Sequence, residues 1–547
     1  MKRSSVLKWI YINCGKRWGE TAALIVLNAW SAVCVTLFAL LSKLVIDCAQ
    51  KDSRDELIKY TALLLVLIIS QMLARVVSAV IEAVSQGKAE KALKTYVFSS
   101  ALYGNYGAVT ERHSGDIMTR LTADVSVVSD NYVHILPSAV SYSVRILSAA
   151  AALLALDKYF AAVFICCGIA VVLLAALFRK PLKALHLRVQ ERDSSVRSFM
   201  QEMIENLFAV KVFSIEDKIV RRSEKLQNNL YRERVKKKTF SVGASIGFSV
   251  AFAAGFLAAV AYGADGILKG TMTFGTVAAI IQLVNQLQSP AAGLTGIMPS
   301  FFAMTASAQR LIETAEGEKE EICDTTSLSY DDFIRITAKD VTFGYAQDSV
   351  IENASFTVEK GEFIGIKGPS GAGKSTVFKL ITGLYEPEKG VVTVETSKGE
   401  VECKKARSLF SAVPQGNMLF SGTVKENLLL LSPDADEKEL EKAISDACAE
   451  FVYDLDGGLD FELGEGGSGI SEGQAQRIAV ARALLGKGKI LLMDESTGAL
   501  DGETEKRLIE NLHSRKDITV LFITHRDTVL EKCGRIITVS NGRISEN

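Results

Sequence analysis

The sequence lacks the features that mark several common classes of protein. Its 547 residues carry a formal net charge of −1, so no overall excess of basic residues would attract nucleic acid. The nine cysteines are scattered, odd in number and without the spacing of a metal site, which predicts reduced structural thiols. No cleavable signal peptide is expected, because the first long apolar run continues well beyond the length of a signal sequence. The composition therefore gives no reason to expect disulfides, a metal cluster or a nucleic-acid partner.

Hydrophobic residues are abundant, and they are segregated from the charged ones along the chain. They make up 48% of the sequence, charged residues make up 23%, and the mean hydropathy is +0.20. A helix of about 20 apolar residues matches a hydrocarbon core of about 30 Å. Buried helices of a large soluble protein are the alternative, but residues 61–69 and 161–178 have no polar face. We predict six membrane-spanning helices, over residues 21–42, 60–81, 134–156, 159–178, 242–264 and 273–305.

Charge on the flanking segments predicts how the chain is oriented in the membrane. The first apolar segment is preceded by basic residues with no acidic residue among them, namely Lys2, Arg3, Lys8, Lys16 and Arg17. This places the N-terminus in the cytoplasm, and six crossings return the C-terminal half there. The long charged connections, residues 83–133 and 179–241, then face the cytoplasm, and breaks at 115–125 and 206–217 predict short transverse helices. The expected location is a cell membrane, the plasma membrane of a bacterium.

A phosphate-binding loop stands in the second half of the chain. It fits the pattern GxxxxGK[ST], follows an apolar run at 363–366 and precedes a helical pattern, as such a loop requires. A glycine-rich turn arising by chance is the alternative, and this context argues against it. Backbone N–H groups would surround the phosphates of a nucleotide, Lys374 would add a point charge, and Ser375 would offer its hydroxyl to Mg²⁺. The loop residues are Gly368, Pro369, Ser370, Gly371, Ala372, Gly373, Lys374, Ser375 and Thr376.

Two carboxylates end a second apolar run, Ile490 to Met493. Asp494 would hold the metal ion, and Glu495 would orient or deprotonate the attacking water. A solvated acidic strand end is the alternative for these two residues taken alone. From about residue 332 onward, short β-rich runs alternate with helical patterns, which predicts an α/β domain with a largely parallel sheet. The predicted organisation is a membrane domain at 1–314, an acidic linker at 315–331 and a nucleotide-binding domain at 332–547.

Nearly the whole chain resembles the ATP-binding cassette (ABC) transporters, specifically the exporter-type half-transporter with six membrane helices fused to one nucleotide-binding domain. The segments that carry the resemblance are the signature loop Ile470-Ser471-Glu472-Gly473-Gln474, Val413-Pro414-Gln415, Phe343-Gly344-Tyr345, Gly498-Ala499-Leu500-Asp501 and Thr524-His525-Arg526. The resemblance implies that Tyr345 stacks on adenine, that Gln415 contacts Mg²⁺ and the attacking water, and that His525 contacts the γ-phosphate of ATP. It also implies nucleotide contacts from Ser471, Gly473, Gln474 and Asp501. Residues 115–125 and 206–217 would be the coupling helices.

The family places each ATP between the phosphate loop of one subunit and the signature loop of the other, so the resemblance implies a dimer. Glu495 and His525 both match the active pattern, which favours a homodimer, and a heterodimer stays open. Glu472 stands where the family usually has glycine, and Gly498 stands where serine is common. The extra carboxylate of Glu472 is expected to leave function intact, with weaker ATP binding or slower turnover.

Polar residues within the apolar segments bear on what is transported. The sixth segment has Gln282, Asn285, Gln286 and Ser289 on one face, and Arg75 and Arg145 place two charges in other segments. They line a translocation path or serve helix packing, and the sequence leaves both open. The expected function is ATP-driven export of an amphipathic drug, lipid or peptide, with membrane lipid as the surroundings. Import by the same fold, as in some siderophore systems, and a non-transporting regulatory ATPase are the alternatives.

Overall fold

The computed structural model of the protein describes residues 3–50, 53–110, 114–317, 319–320, 328–345, 348–416, 419–540 and 542–546. The chain divides into two compact units. Residues 1–100 and 115–315 belong to a helical unit, and residues 101–114 and 316–547 belong to a sheet unit. Within the expected linker, residues 318 and 321–327 lie outside the described part of the chain. The sequence analysis places the segment 101–114 in the membrane domain, whereas in the structure this segment belongs to the sheet unit.

Long helices cover the six segments that the sequence analysis assigned to the membrane, except that the helix over the sixth segment begins one residue later, at Phe274. In chain order the helices are α1 (Arg3–Asn13), α2 (Trp18–Gln50), α3 (Arg54–Leu102), α4 (Tyr106–Thr110, in the sheet unit), α5 (Ser114–Thr119), α6 (Val125–Leu156), α7 (Lys158–Glu205), α8 (Leu207–Val212), α9 (Glu216–Leu268) and α10 (Phe274–Ala315). Among the described residues, the helical stretches long and apolar enough to cross a membrane are Trp18–Gln50, Arg54–Leu102, Gly115–Leu156 and Ser249–Leu268. The helical first half of the chain is confirmed.

The expected transverse helix at 115–125 is wrong in this structure. Helices α5 and α6 are joined by a single π-helical turn, Arg120–Asp124, into one continuous helix. That turn is attached to the end of α10. The Arg120 guanidinium donates to the Arg310 carbonyl at 2.8 Å, and the buried Asp124 carboxylate accepts from Nε of Arg310 at 2.8 Å. Because these contacts hold the segment against α10, it stays in line with α6 and forms no separate helix. At 206–217 a short helix, α8, does form, and Phe208 within it is 83% exposed.

Twelve strands lie in the part of the sheet unit that the structure describes. They are β1 (Phe333–Tyr345), β2 (Asp348–Glu359), β3 (Phe363–Lys367), β4 (Lys389–Thr396), β5 (Gly399–Glu402), β6 (Phe410–Val413), β7 (Gly422–Thr423), β8 (Glu462–Leu463), β9 (Ile490–Asp494), β10 (Thr519–Ile523), β11 (Arg535–Ser540) and β12 (Arg543–Glu546). The main sheet has the order β12-β11-β3-β10-β9-β6, and all its pairs are parallel except β11 with β12. An antiparallel sheet has the order β2-β1-β4-β5. The predicted α/β domain with a largely parallel sheet is confirmed.

Helices cover the main sheet, and they are α11 (Lys374–Ile381), α12 (Val424–Leu429), α13 (Glu437–Asp446), α14 (Glu472–Leu485), α15 (Gly502–Ser514) and α16 (Asp527–Leu530). One apolar cluster packs α14 against the sheet and another packs α11 against it. Strands β9 and β10 are buried along their whole length, as expected for parallel strands covered on both faces. In register, Asp494 and Ile366 both lie beside Ile523. The carboxyl ends of β3, β9 and β10 therefore lie side by side, and the chain leaves all three strands at this one edge of the sheet.

The cysteines that the structure describes are all free. Burial raises the pKa of Cys403 and of Cys533 to about 12, so these thiols stay protonated at neutral pH. A protonated, buried thiol is a poor nucleophile and a poor metal ligand. The structure thus agrees with the structural role that the sequence analysis expected for them.

Candidate functional site

The phosphate loop connects β3 to α11 at that edge of the sheet. Gly373, the residue before α11, has φ of 96°, and a Cβ there would lie 2.7 Å from Cγ1 of Val350. Only glycine fits this left-handed turn without displacing its neighbour. Lys374 is buried, and its ammonium donates to the carbonyls of Gly368 and Pro369 at 2.8 and 3.0 Å. These bonds place the positive charge inside the loop.

The other loop residues divide into an exposed tip and a buried base. Pro369, Ser370 and Gly371 are exposed, whereas Gly368 and Ala372 are half-buried and Thr376 is buried within α11. An anion that entered the loop would therefore meet the backbone of the tip first. The first turn of α11 beneath it presents the positive end of a helix dipole to that anion.

Asp494 ends β9 beside the phosphate loop, and its side chain is 9% exposed. Burial raises its pKa, and a hydrogen bond from the Ser375 hydroxyl together with the charge of Lys374 opposes that rise. The donor set at this position consists of one carboxylate and one hydroxyl, both hard oxygen ligands of the kind that Mg²⁺ prefers. A cation there would also compensate the cost of burying the carboxylate, so the residues fit a magnesium ion.

Glu495 follows directly and has a left-handed backbone, with φ of 47°. Such a conformation costs a non-glycine residue about 1–3 kcal/mol and is often found at functional sites. Its N–H donates to the Ile523 carbonyl at 2.9 Å, which holds the turn. Its carboxylate accepts a hydrogen bond from Nε2 of Gln415 at 3.1 Å and lies 3.8 Å from Nε2 of His525. The structure thus brings Gln415, Glu495 and His525 together from the ends of three strands.

Tyr345 ends β1 next to the last residue of the phosphate loop. Its hydroxyl lies 3.1 Å from the Thr376 hydroxyl, and 37% of the residue is exposed. The ring has edge-to-face contacts with Phe343 and Tyr385, with centroids 5.1 and 5.5 Å apart. Sequence reasoning missed Tyr385, because nothing in its local pattern separates it from an ordinary loop aromatic.

The signature loop lies at the start of α14. Ser471 is the N-cap of this helix, and it forms a capping box with Gln474. Gly473 lies so close to the next loop that a Cβ would stand 2.7 Å from the Ala499 carbonyl oxygen. Among the described residues, no hydrogen bond or ion pair joins Ser471, Gly473 or Gln474 to the phosphate loop of the same chain.

Asp501 caps α15 by accepting from the Thr504 N–H at 2.9 Å, and this hydrogen bond lowers its pKa. Its contact with nucleotide stays a prediction. Arg526, which sequence reasoning did not single out, donates to the Gly498 carbonyl at 2.8 Å and pairs with Glu505 at 2.9 Å. Because Arg526 directly follows His525, it attaches the loop 498–501 to the segment that carries His525. The contact uses the Gly498 backbone, so the missing serine side chain does not affect it. Its position directly after His525 is the signal that could have identified it.

The polar residues of the membrane segments have different environments. Gln286 donates to the Val35 carbonyl at 3.0 Å, so it serves helix packing, whereas Asn285 and Ser289 are exposed. Arg75 and Arg145 are close enough for their charges to interact. Arg75 is exposed, Nε of Arg145 is buried without a hydrogen-bond partner, and within the described residues neither guanidinium has an acidic partner.

Two family models match the chain. The model described as the ABC transporter transmembrane region matches residues 21–291, and the model described as ABC transporter matches residues 351–498. The second range contains the phosphate loop, Gln415, the signature loop and the two carboxylates that end β9.

Known proteins resemble the chain over much of its length. An ATP-dependent lipid A-core flippase of Desulfotalea psychrophila is 31% identical over 379 residues. This match covers 68% of this chain and 65% of the flippase, which is less than two thirds of its length. The putative export ATP-binding/permease protein RC1073 of Rickettsia conorii is 28% identical over 98% of this chain and 94% of its own length. The solved structure of a bacterial Atm1-family ABC exporter with ATP bound has a TM-score of 0.80 at 21% identity, covering 97% of this chain and 95% of that one. The last match shows a common fold.

Proposed function

Because the chain belongs to the ABC transporters of the exporter type, ATP-hydrolysing membrane translocases, we propose that two copies form a homodimer that exports an anionic amphiphile. The single observation that carries the ATPase half of this proposal is the meeting of Glu495, Gln415 and His525 beside the phosphate loop. The choice of an anionic solute rests on Arg75 and Arg145, the two unpaired arginines of the membrane segments. A bacterial plasma membrane with both termini in the cytoplasm is the proposed location.

The chain's own residues divide the hydrolytic work among them. Lys374 and the loop backbone bind the triphosphate of ATP, and Tyr345 stacks on its base. Glu495 takes a proton from the attacking water, while Gln415, hydrogen-bonded to the same carboxylate, orients that water. His525, whose Nε2 lies beside the other carboxylate oxygen of Glu495, donates towards the γ-phosphate. Ser375 and Asp494 would hold Mg²⁺, which supplies charge neutralisation to the phosphates when bound.

The signature loop supports the dimer. Ser471 and the first N–H groups of α14 form a helix N-terminus, a favourable place for the γ-phosphate held by a partner's phosphate loop. ATP bound between two chains would hold the sheet units together, and its hydrolysis would release them. A movement of this kind can switch the membrane helices between two openings only if ATP binds the closed form more tightly.

The choice of an anionic solute follows from the two arginines. An unpaired guanidinium within a membrane segment is costly, and binding an acidic headgroup would reduce that cost. Phosphate is the headgroup that a pair of guanidinium groups suits best, because each can donate two parallel hydrogen bonds. The name of the flippase relative, which refers to a lipid A-core, agrees with this class of solute.

Transport in vesicles of defined orientation tests the whole proposal. Proteoliposomes with the sheet unit outside should accumulate a fluorescent phosphatidic acid in their inner leaflet when ATP is added, and should not do so with ADP. Loss of the lipid from the inner leaflet would instead show import. ATP hydrolysis without any movement or stimulation by solute would favour a regulatory ATPase.

Neutralising the arginine pair tests the solute class directly. In the double variant Arg75→Gln/Arg145→Gln, we expect the concentration of phosphatidic acid that half-stimulates ATP hydrolysis to rise about tenfold or more, because two charge-assisted contacts are lost. Basal hydrolysis should stay near wild type, since neither residue is in the nucleotide site. The lysine double variant is the matched control and should keep most of the stimulation. Equal stimulation of the glutamine variant and the wild type would exclude this pair as the headgroup site.

Replacing Asp494 tests the metal site. In Asp494→Asn the apo protein should melt no lower than wild type, because the burial that raises the pKa of this carboxyl makes its ionised form unfavourable to folding, and an amide carries no such charge. The thermal stabilisation by ATP should no longer increase when Mg²⁺ is added, and turnover should fall about 100-fold. Differential scanning fluorimetry with ATP plus EDTA, against ATP plus Mg²⁺, makes the comparison. An unchanged Mg²⁺ response would show that the ion is held elsewhere.

A further inference from the structure

We propose that Tyr385 is a positioning residue through which the segment 101–110 of the first cytoplasmic connection contacts the ring that binds adenine, Tyr345. The inference rests on the proposed function, since it takes Tyr345 to be the base-stacking residue. It assigns a role to Tyr385 and Tyr106 that the phosphate-site motifs do not include.

Three tyrosine rings form an uninterrupted row within the sheet unit. The centroids of Tyr345 and Tyr385 are 5.5 Å apart at an interplanar angle of 87°, and those of Tyr385 and Tyr106 are 5.6 Å apart at 81°. Both are edge-to-face pairs, an arrangement that aromatic rings prefer and that loses energy when either ring turns. The ammonium of Lys379, one turn into α11, lies 5.9 Å from the Tyr345 centroid and 5.7 Å from that of Tyr385. The row is therefore fixed from the side of the phosphate-loop helix as well.

The segment 101–110 is shaped to make this contact. Gly107 packs so closely on Tyr385 that a Cβ would stand 2.9 Å from Cε1 of the ring. The Thr110 hydroxyl lies 3.4 Å from the Tyr385 hydroxyl. Asn105 caps the short helix α4 by accepting from the Gly107 N–H at 3.0 Å, and the Tyr103 carbonyl accepts from the Glu320 N–H at 3.0 Å. A segment held at both ends of its contact transmits a displacement of Tyr385 instead of absorbing it.

A base stacked on Tyr345 would restrict that ring and, through the second edge-to-face pair, Tyr106. If the base restricts Tyr106 through this row, then removing the Tyr106 ring should in turn change the affinity of the base site. This distinguishes a relay from simple docking of the segment. Docking predicts that a change at Tyr106 affects transport alone, whereas the relay predicts that it also affects the binding of ATP.

The variant Tyr106→Leu in the full-length protein, reconstituted in proteoliposomes, tests the relay. Its side chain contacts Tyr385 and lies outside the phosphate-site motifs. We expect the KM for ATP to rise about three- to tenfold, the range expected for loss of an aromatic pair, with kcat nearly unchanged. Inhibition by ADP should weaken by the same factor, while inhibition by pyrophosphate, which has no base, should stay at the wild-type value. Tyr385→Leu should give the same pattern, and Tyr385→Phe, which keeps the ring, should restore most of the affinity.

Tyr103→Leu is the matched control, because Tyr103 belongs to the same segment but its ring is 56% exposed. It should leave both inhibition constants unchanged. If Tyr106→Leu and Tyr385→Leu leave the KM for ATP and inhibition by ADP unchanged while the wild type transports, the relay is wrong and the proposed function stands. If ADP and pyrophosphate weaken equally, the effect acts on the phosphate loop and the relay is equally wrong. A wild-type protein that neither hydrolyses ATP nor moves lipid would instead overturn the proposed function.

Discussion

Replacing Glu495 by glutamine (Glu495→Gln) is expected to lower ATP hydrolysis by about 100-fold or more, because a positioned general base contributes on the order of 10²–10⁴. The amide cannot accept the proton of the attacking water at neutral pH. It has nearly the same shape as the carboxylate, and the left-handed backbone at this position is held by the bond to the Ile523 carbonyl, so the fold should be unaffected. Steady-state ATP hydrolysis by the purified protein in proteoliposomes measures the loss.

ATP binding should survive in the same variant. Among the described residues, no hydrogen bond or ion pair joins Glu495 to Lys374, the side chain proposed to bind the triphosphate. Because ATP is then bound but not consumed, the variant should accumulate as an ATP-loaded dimer, visible by size-exclusion chromatography with light scattering. Glu510→Gln is the matched control, since Glu510 is an exposed residue of α15. Turnover near the wild-type rate in Glu495→Gln would show that another group takes the proton.

Mixing two inactive variants is expected to restore hydrolysis, which is the second large effect. Lys374→Ala removes the charge in the phosphate loop, and Ser471→Ala removes the hydroxyl that caps α14, so each variant alone should lose nearly all activity. If each ATP lies between Lys374 of one chain and Ser471 of the other, a mixed dimer contains one intact site and one doubly altered site. Random pairing of equal amounts then gives about a quarter of wild-type activity, provided the two sites work independently.

The experiment requires that the variants exchange partners or be expressed together with different affinity tags. Purification through both tags in sequence isolates the mixed dimer, which should then reach about half of the wild-type rate. A mixture of Lys374→Ala with Glu495→Ala is the internal comparison. Both residues belong to the phosphate-loop half of a site, so each of the two sites in this mixed dimer contains one altered residue. Because Lys374 and Glu495 act in cis, that mixed dimer has no intact site and should remain inactive. No recovery with Ser471→Ala would show that the signature loop acts on the ATP of its own chain, or not at all.

Several parts of this protein were predictable from the sequence for definite physical reasons. A phosphate loop needs glycine where the backbone turns left-handed, as at Gly373, and a lysine at its end. Residues adjacent in the sequence therefore determine the chemistry of the loop. The buried parallel strand before Asp494 is an uninterrupted apolar run for the same local reason. The helical first half and the α/β second half follow from periodicity. The nucleotide contacts of Gln474 and Asp501 stay predictions, because the structure shows these residues as helix caps.

Other features depended on residues far apart in the chain. The segment 115–125 carries a break in its pattern, yet Arg120 and Asp124 hold it against the end of α10 as part of one long helix. The neighbouring segment 101–110 joins the sheet unit because Gly107 leaves room for the ring of Tyr385, which lies more than 270 positions away. No window of sequence contains both partners of such contacts.

The sequence by itself determined the class of this protein, an ATP-driven membrane translocase, because membrane helices and phosphate loops are both specified by short stretches of chain. The tertiary structure alone decided which side chains surround those stretches: Gln415 and His525 beside Glu495, and Tyr385 between Tyr345 and Tyr106. The reason is that backbone conformation and hydrophobic burial are encoded locally, whereas contacts between side chains depend on how distant strands and loops pack.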